Sequence, residues 1–177
     1  MPGNNADGVK RELNEHEQSM LQQLRAGGSR LGNGVLKRSA CQFILDHGWL
    51  YEPGPLRQGI GPGQSNECYN NALNLVLADE SLVYVEGFTA DECGLRIHHA
   101  WVTDGKGRAI DPTWAKPGVV YAGVPFKSSF VCKTGLKDKG LGSLLDDWEQ
   151  GYPLLQDLGD RPDEWMEPRG IGFAKLT

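Results

Sequence analysis

Residues 63–73, GQSNECYNNAL, decide how the rest of this chain is read. Tyr69, Ala72, Leu73, Val76 and Leu77 fall at helical spacing, so the stretch predicts a buried helix over 66–79 with Ser65 or Asn66 as its N-cap. Cys68 then lies in the first turn. An ordinary thiol, with a pKa of about 8.5, is only a few per cent thiolate at neutral pH, and the thiolate is the nucleophile. A helix N-terminus offers roughly half a positive charge toward lowering that pKa, and a neighbouring imidazolium offers a full one.

The imidazole is sought downstream. LVYVEGF at 82–88 is β-branched and aromatic, as a strand is, and LRIHHAWVT (95–103), DGKG (104–107) and RAIDPTW (108–114) read as a hairpin. A register that pairs residue 103 with 107 sets His99 directly opposite Asp111, with Cβ atoms about 4.5–5.5 Å apart. A slip of one residue would turn the two side chains to opposite faces. His98 points the other way from His99, toward solvent or the opposite face, so only His99 is expected to meet the thiol. Its face carries Ile97 and Trp101, an apolar setting that strengthens a charged pair. The expected catalytic set is Cys68 as nucleophile, His99 as base and Asp111 as orienter. Donors for a developing oxyanion are the backbone N–H of Cys68 and the side chain of Gln64, with Asn66 as a weaker substitute. Gly61-Pro62-Gly63 lets that stretch approach a substrate closely. Trp101 and Trp114 read first as core, and are carried as substrate-binding candidates because they flank the site in sequence.

Cysteine at a helix start, histidine on a strand and aspartate on the next resembles the papain-like and transglutaminase-core cysteine hydrolase superfamily. ECYNNAL, HHAW and IDPTW, with the later YAGVPF, look like small bacterial and phage members of it, over roughly residues 60–130. The resemblance implies an α+β fold with the nucleophile helix packed on an antiparallel sheet. It also implies peptide or isopeptide cleavage, deamidation or acyl transfer. Papain itself has Asn as third member and a Gln farther upstream than Gln64 is here.

Composition bounds the rest. With 177 residues, 39% of them hydrophobic, the chain suits one domain. It divides into a frayed end (1–8), a helical N-terminal part (9–60), the catalytic core (61–132) and a C-terminal extension (133–177). Twenty-four glycines, about twice the usual share of roughly 7%, predict many tight connections. A net charge of -5 without a basic cluster argues against a nucleic-acid groove, and no apolar run approaches the roughly 18 residues of a membrane span. The N-terminus lacks the apolar core of a signal peptide, and the four cysteines show neither C-x-x-C pairs nor a disulfide framework, so reduced thiols in a cytoplasm are expected.

A stripe of Val9, Leu13, Met20, Leu21 and Leu24 predicts a first helix with a solvated charged face, and one from Leu36 through Ala40, Phe43 and Ile44 to His47 a second. Residues 51–64 read as a loop from their Pro and Gly content, 118–122 and 129–132 as short strands, TGLKDKGLG (134–142) as a flexible connection, and Leu141, Leu144, Leu145 and Trp148 as a short helix. A zinc site from Cys93, His98 and His99 is weighed and set aside, since adjacent strand histidines diverge. GIGPG lacks the ending of a phosphate loop. The reading is an enzyme without a cofactor, acting on a protein, a peptide or a small amide-containing molecule. Its rival is a catalytically inert papain-like fold that binds or inhibits a protein.

Overall fold

The computed structural model describes residues 11–28, 36–135 and 141–176. The readings on residues 1–8, on Val9 and on most of the 134–142 connection lie outside them. Helix α1 (Glu15–Gly28) starts where Asn14 and Glu17 each accept the other's backbone N–H, and it buries Met20 and Leu24. Glu17, part of the supposedly solvated face, is buried and paired with Arg11 at 2.6 Å. Helix α2 (Ala40–His47) is capped by the Ser39 hydroxyl and delivers the chain to β1 (Trp49–Gly54).

The central unit is α3 (Cys68–Ala78), β2 (Val83–Ala90), β3 (Arg96–Thr103), β4 (Arg108–Ile110) and β5 (Val120–Phe126). Strands β2, β3, β4 and β5 pair antiparallel. β1 then closes the sheet, antiparallel to β5 through Trp49–Tyr51 and parallel to β4 through Glu52–Gly54. The result is a five-stranded barrel in a mixed α+β fold. Helix α4 (Ser128–Gly135), α5 (Pro162–Trp165) and the short β6 (Ala174–Lys175) beside β1 complete it.

Alternation along the strands sorts two cores. Tyr51, Val85, Trp101, Ala109 and Tyr121 fill the barrel interior, where Gly123 is needed because a Cβ there would lie 2.6 Å from the Trp101 ring. The outer face of β2, β3 and β5 is covered by helices, with Ala72, Leu73 and Val76 of α3 among the buried contacts.

Four sequence readings are corrected. Residues 51–54 are strand, because Pro53 needs no donor there: Glu52 N–H makes the ladder bond to Gly107 O, and the strand turns its other edge outward past Tyr51. The 129–132 run is helical, held by Phe130 and Val131 N–H to Lys127 O, with Phe130 stacked on Phe126. Residues 141–147 form no helix: Leu144 and Leu145 N–H go to the carboxylate of Glu86 instead. Leu141, Leu144 and Leu145 are buried all the same, while Trp148 is 67% exposed in a one-turn 3-10 segment. Finally, the hairpin pairs Thr103 with Ala109 rather than residue 107, because Gly105 and Gly107 both take positive φ and lengthen the turn. No helix among the described residues is long and apolar enough to cross a membrane.

Candidate active site

Helix α3 starts at Cys68, two residues later than its apolar spacing predicts. Glu67 is its cap residue and provides no side-chain bond, so the first N–H groups are left pointing out of the helix end. Neither Ser65 nor Asn66 caps it. Asn66 instead adopts the left-handed conformation at φ 64, which asparagine tolerates better than other side-chain-bearing residues.

The loop before Cys68 is fixed by Asn71, one turn into the helix. Its Oδ1 accepts from Gln64 N–H at 3.1 Å, and its Nδ2 donates to Gln64 O at 2.8 Å and to Thr113 Oγ1 at 3.0 Å. Gly63 N–H donates to Pro112 O at 2.7 Å, and a Cβ on Gly63 would collide with the Asn71 amide at 2.4 Å. One buried amide therefore joins helix α3, its preceding loop and the turn after Asp111. Sequence reasoning missed this residue; the paired asparagines in CYNNAL were its trace.

His99 is 3% exposed and its Nε2 lies 2.8 Å from Asp111 Oδ2. That leaves Nδ1 as the ring nitrogen for Cys68, which lines the same cleft and helps to raise the His99 pKa. Asp111 is buried and accepts further bonds from Tyr121 OH at 2.9 Å, from Thr113 N–H at 2.9 Å and from Trp114 N–H at 3.4 Å. The Tyr121 hydroxyl in turn accepts from Gly118 N–H at 2.8 Å. Burial pushes the His99 pKa down, but the Asp111 carboxylate and Cys68 outweigh it and raise the pKa to about 9. At neutral pH His99 carries its proton.

Cys68, half-buried, and His99 line one cleft of about 630 Å³. Ser65, Asn66 and Tyr69 form one wall; Ile97, His98 and the 113–116 turn form the other. The Trp114 ring packs on His99 with centroids 5.1 Å apart. Trp101 does not reach the cleft: it is fully buried in the barrel, against Tyr51 and Tyr121. Gln64 lies with Pro62, Glu67 and Asn70 around a neighbouring hollow.

His98 does line the cleft, although it projects from the opposite face of β3. β4 ends at Ile110, so β3 carries ladder bonds on that side only at Val102 and Thr103. A cleft at the bare edge beyond them is reached from both faces. The four cysteines are unpaired, and among the described residues no group of three or more His, Cys, Asp or Glu could hold a metal ion. No family model, curated protein or solved structure matches the chain.

Proposed function

We propose that this protein is a cysteine-nucleophile hydrolase or acyl transferase of papain-like design, acting on an amide, isopeptide or carboxamide carbonyl. The observation that supports it is the meeting of Cys68, at an uncapped helix start, with a buried His99 held by Asp111 in an accessible cleft. Sγ of Cys68 attacks the carbonyl carbon as the thiolate, its proton held on His99, and His99 gives that proton to the leaving nitrogen. The C–N bond breaks, a thioester remains on Cys68, and water or an amine resolves it.

Negative charge on the carbonyl oxygen is met by the Cys68 N–H and the Asn66 side chain, since Asn66 lines the cleft and Gln64 does not. The Asp111 carboxylate keeps His99 oriented and protonated. No cofactor enters these steps. The test is turnover of p-nitrophenyl acetate, an activated acyl donor, by wild type and by Cys68→Ala. Release of p-nitrophenolate with an initial burst, lost in the variant, supports the reading. Equal slow release from both proteins favours the inert binding fold.

A further inference from the structure

A second histidine–carboxylate pair stands against the same cleft. Glu86 on β2 and His98 on β3 occupy a diagonal of the outer face, since Glu86 pairs with Ala100 and Phe88 with His98. His98 Nε2 is 3.2 Å from Glu86 Oε1, yet it is out of line for a hydrogen bond and is a buried nitrogen without a partner. The imidazole is packed between Phe88 and Tyr69, at ring distances of 5.2 and 6.2 Å. With Nε2 turned to Glu86, Nδ1 is the nitrogen left for the cleft.

Glu86 is an unusual residue to find behind that ring. It is 0% exposed, and it accepts from Ser143 OH at 2.5 Å, Tyr84 OH at 3.1 Å, Leu144 N–H at 2.9 Å and Leu145 N–H at 3.1 Å. Burial pushes its pKa up; His98, Ser143 and the Leu144 N–H outweigh this and hold it below the ordinary range. A fully interior carboxylate that stays ionised beside an off-line imidazole is prepared for a proton arriving on that imidazole. The other titratable or charged groups around His98 are Tyr84 on β2, Tyr69 and Cys68 on α3, His99 next along β3, Lys116 on the turn that lines the same cleft, and Arg96, which stacks on the Phe88 ring at 4.4 Å.

We infer that His98, positioned by Glu86, is the general base for the acyl acceptor, so that the cleft serves two nucleophiles with two histidines. The assignment rests on the acyl-enzyme reading above. His99 works on Cys68. His98 works on the water or primary amine that resolves the thioester. The acceptor's lone pair forms the new bond to the thioester carbon as its proton passes to His98 Nδ1. The C–S bond breaks and its electron pair leaves on Cys68 Sγ. His98 then releases its proton to solvent, from which His99, left neutral by the first half-reaction, takes one up.

The test follows p-nitrophenyl acetate by stopped flow, with and without glycinamide as the amine, together with iodoacetamide alkylation of Cys68. Wild type, His98→Gln, His98→Asn and Glu86→Gln are compared, and circular dichroism confirms the fold of each. The expected result is that both His98 variants keep the acylation burst and the alkylation rate within about twofold. They slow acyl-enzyme breakdown by about 100-fold or more, the low end for a general base, and flatten its pH profile. Glu86→Gln slows breakdown in the same sense. If glycinamide accelerates breakdown in wild type alone, the acceptor is the amine; if it changes nothing while the variants are still slow, the acceptor is water. Either result fits the assignment. Unchanged breakdown in the His98 variants overturns it, and so does alkylation that falls in step with breakdown, which would place His98 on the thiol. Equal slow release of p-nitrophenolate from wild type and Cys68→Ala sinks the acyl-enzyme reading itself, a different observation from Cys68-dependent release with unaltered breakdown.

Discussion

Asp111 reaches His99 across a diagonal of the β3–β4 pair: continuing the observed register sets Asp111 opposite Trp101, yet its Oδ2 is 2.8 Å from His99 Nε2. The diagonal works because Asp111 is not left to swing. Three other donors, the hydroxyl of Tyr121 and the N–H groups of Thr113 and Trp114, fix its carboxylate where the ring must come.

Tyr121→Phe is expected to loosen that carboxylate without touching Cys68. It removes one donor to a buried charge and leaves the Gly118 N–H without its acceptor, a combined loss on the order of 2 kcal/mol. Urea denaturation reads the stability change. A drop in p-nitrophenyl acetate acylation, smaller than that of Asp111→Ala, reads the effect on His99. Unaltered acylation in both variants would remove Asp111 from the site.

The pH dependence of stability separates two histidines. His99 is raised to about 9 against an ordinary value of 6.5, so its contribution is fully present below 6.5 and is lost as pH rises through 9. The shift corresponds to stability on the order of 3 kcal/mol. His47, half-buried against Phe43 and Trp165, is instead lowered, so its contribution is present above 6.5 and lost as pH falls below it. Thermal unfolding midpoints between pH 7 and 9.5 should decline in wild type and decline less in His99→Ala; parallel curves would contradict the charge assigned to His99.

Asn66 offers a cleaner probe of the oxyanion than Gln64. Because φ is 64, Asn66→Gly keeps the backbone comfortable while removing the amide. Acylation should fall by about 100- to 1000-fold, the usual effect of losing one such donor, with the unfolding midpoint unchanged or higher. Gln64→Ala, whose side chain serves a different hollow, should acylate at the wild-type rate. The reverse order of effects would return the oxyanion role to Gln64.

Glu86→Ala is expected to cost about 3–5 kcal/mol, as breaking a buried charged network does. It strands Ser143 and the N–H groups of Leu144 and Leu145. Limited proteolysis should then cut between Leu141 and Gln150 ahead of global unfolding. Resistance equal to wild type would mean that packing of Leu144 and Leu145 alone holds the segment.

What the sequence showed of this site was local in origin. Cys68 at a helix start followed from apolar spacing over a dozen residues, and His99 with Asp111 followed from strand alternation. The register was misjudged by two residues, an even slip, so both side chains kept the same face and still met. His98 was set aside by the same alternation rule, which assumes a continuous sheet and not a bare edge. Nothing local marks Glu86 as the acceptor for backbone groups 58 residues later, and that long-range bond is what denies the Leu141–Trp148 stripe its helix. Gln64 and Asn66, two residues apart, could be told apart only once Asn71 had drawn the Gln64 backbone to itself.

The central claim is that His99 activates Cys68, and the most direct measurement is the pH dependence of iodoacetamide alkylation at each of the four cysteines, read by peptide mass spectrometry, in wild type and His99→Ala. The account predicts fast alkylation of Cys68 at pH 6, with Cys41, Cys93 and Cys132 slow there, and loss of the Cys68 advantage in the variant. Cys68 reacting no faster than exposed Cys93 across the range, with the same profile in both proteins, would contradict it.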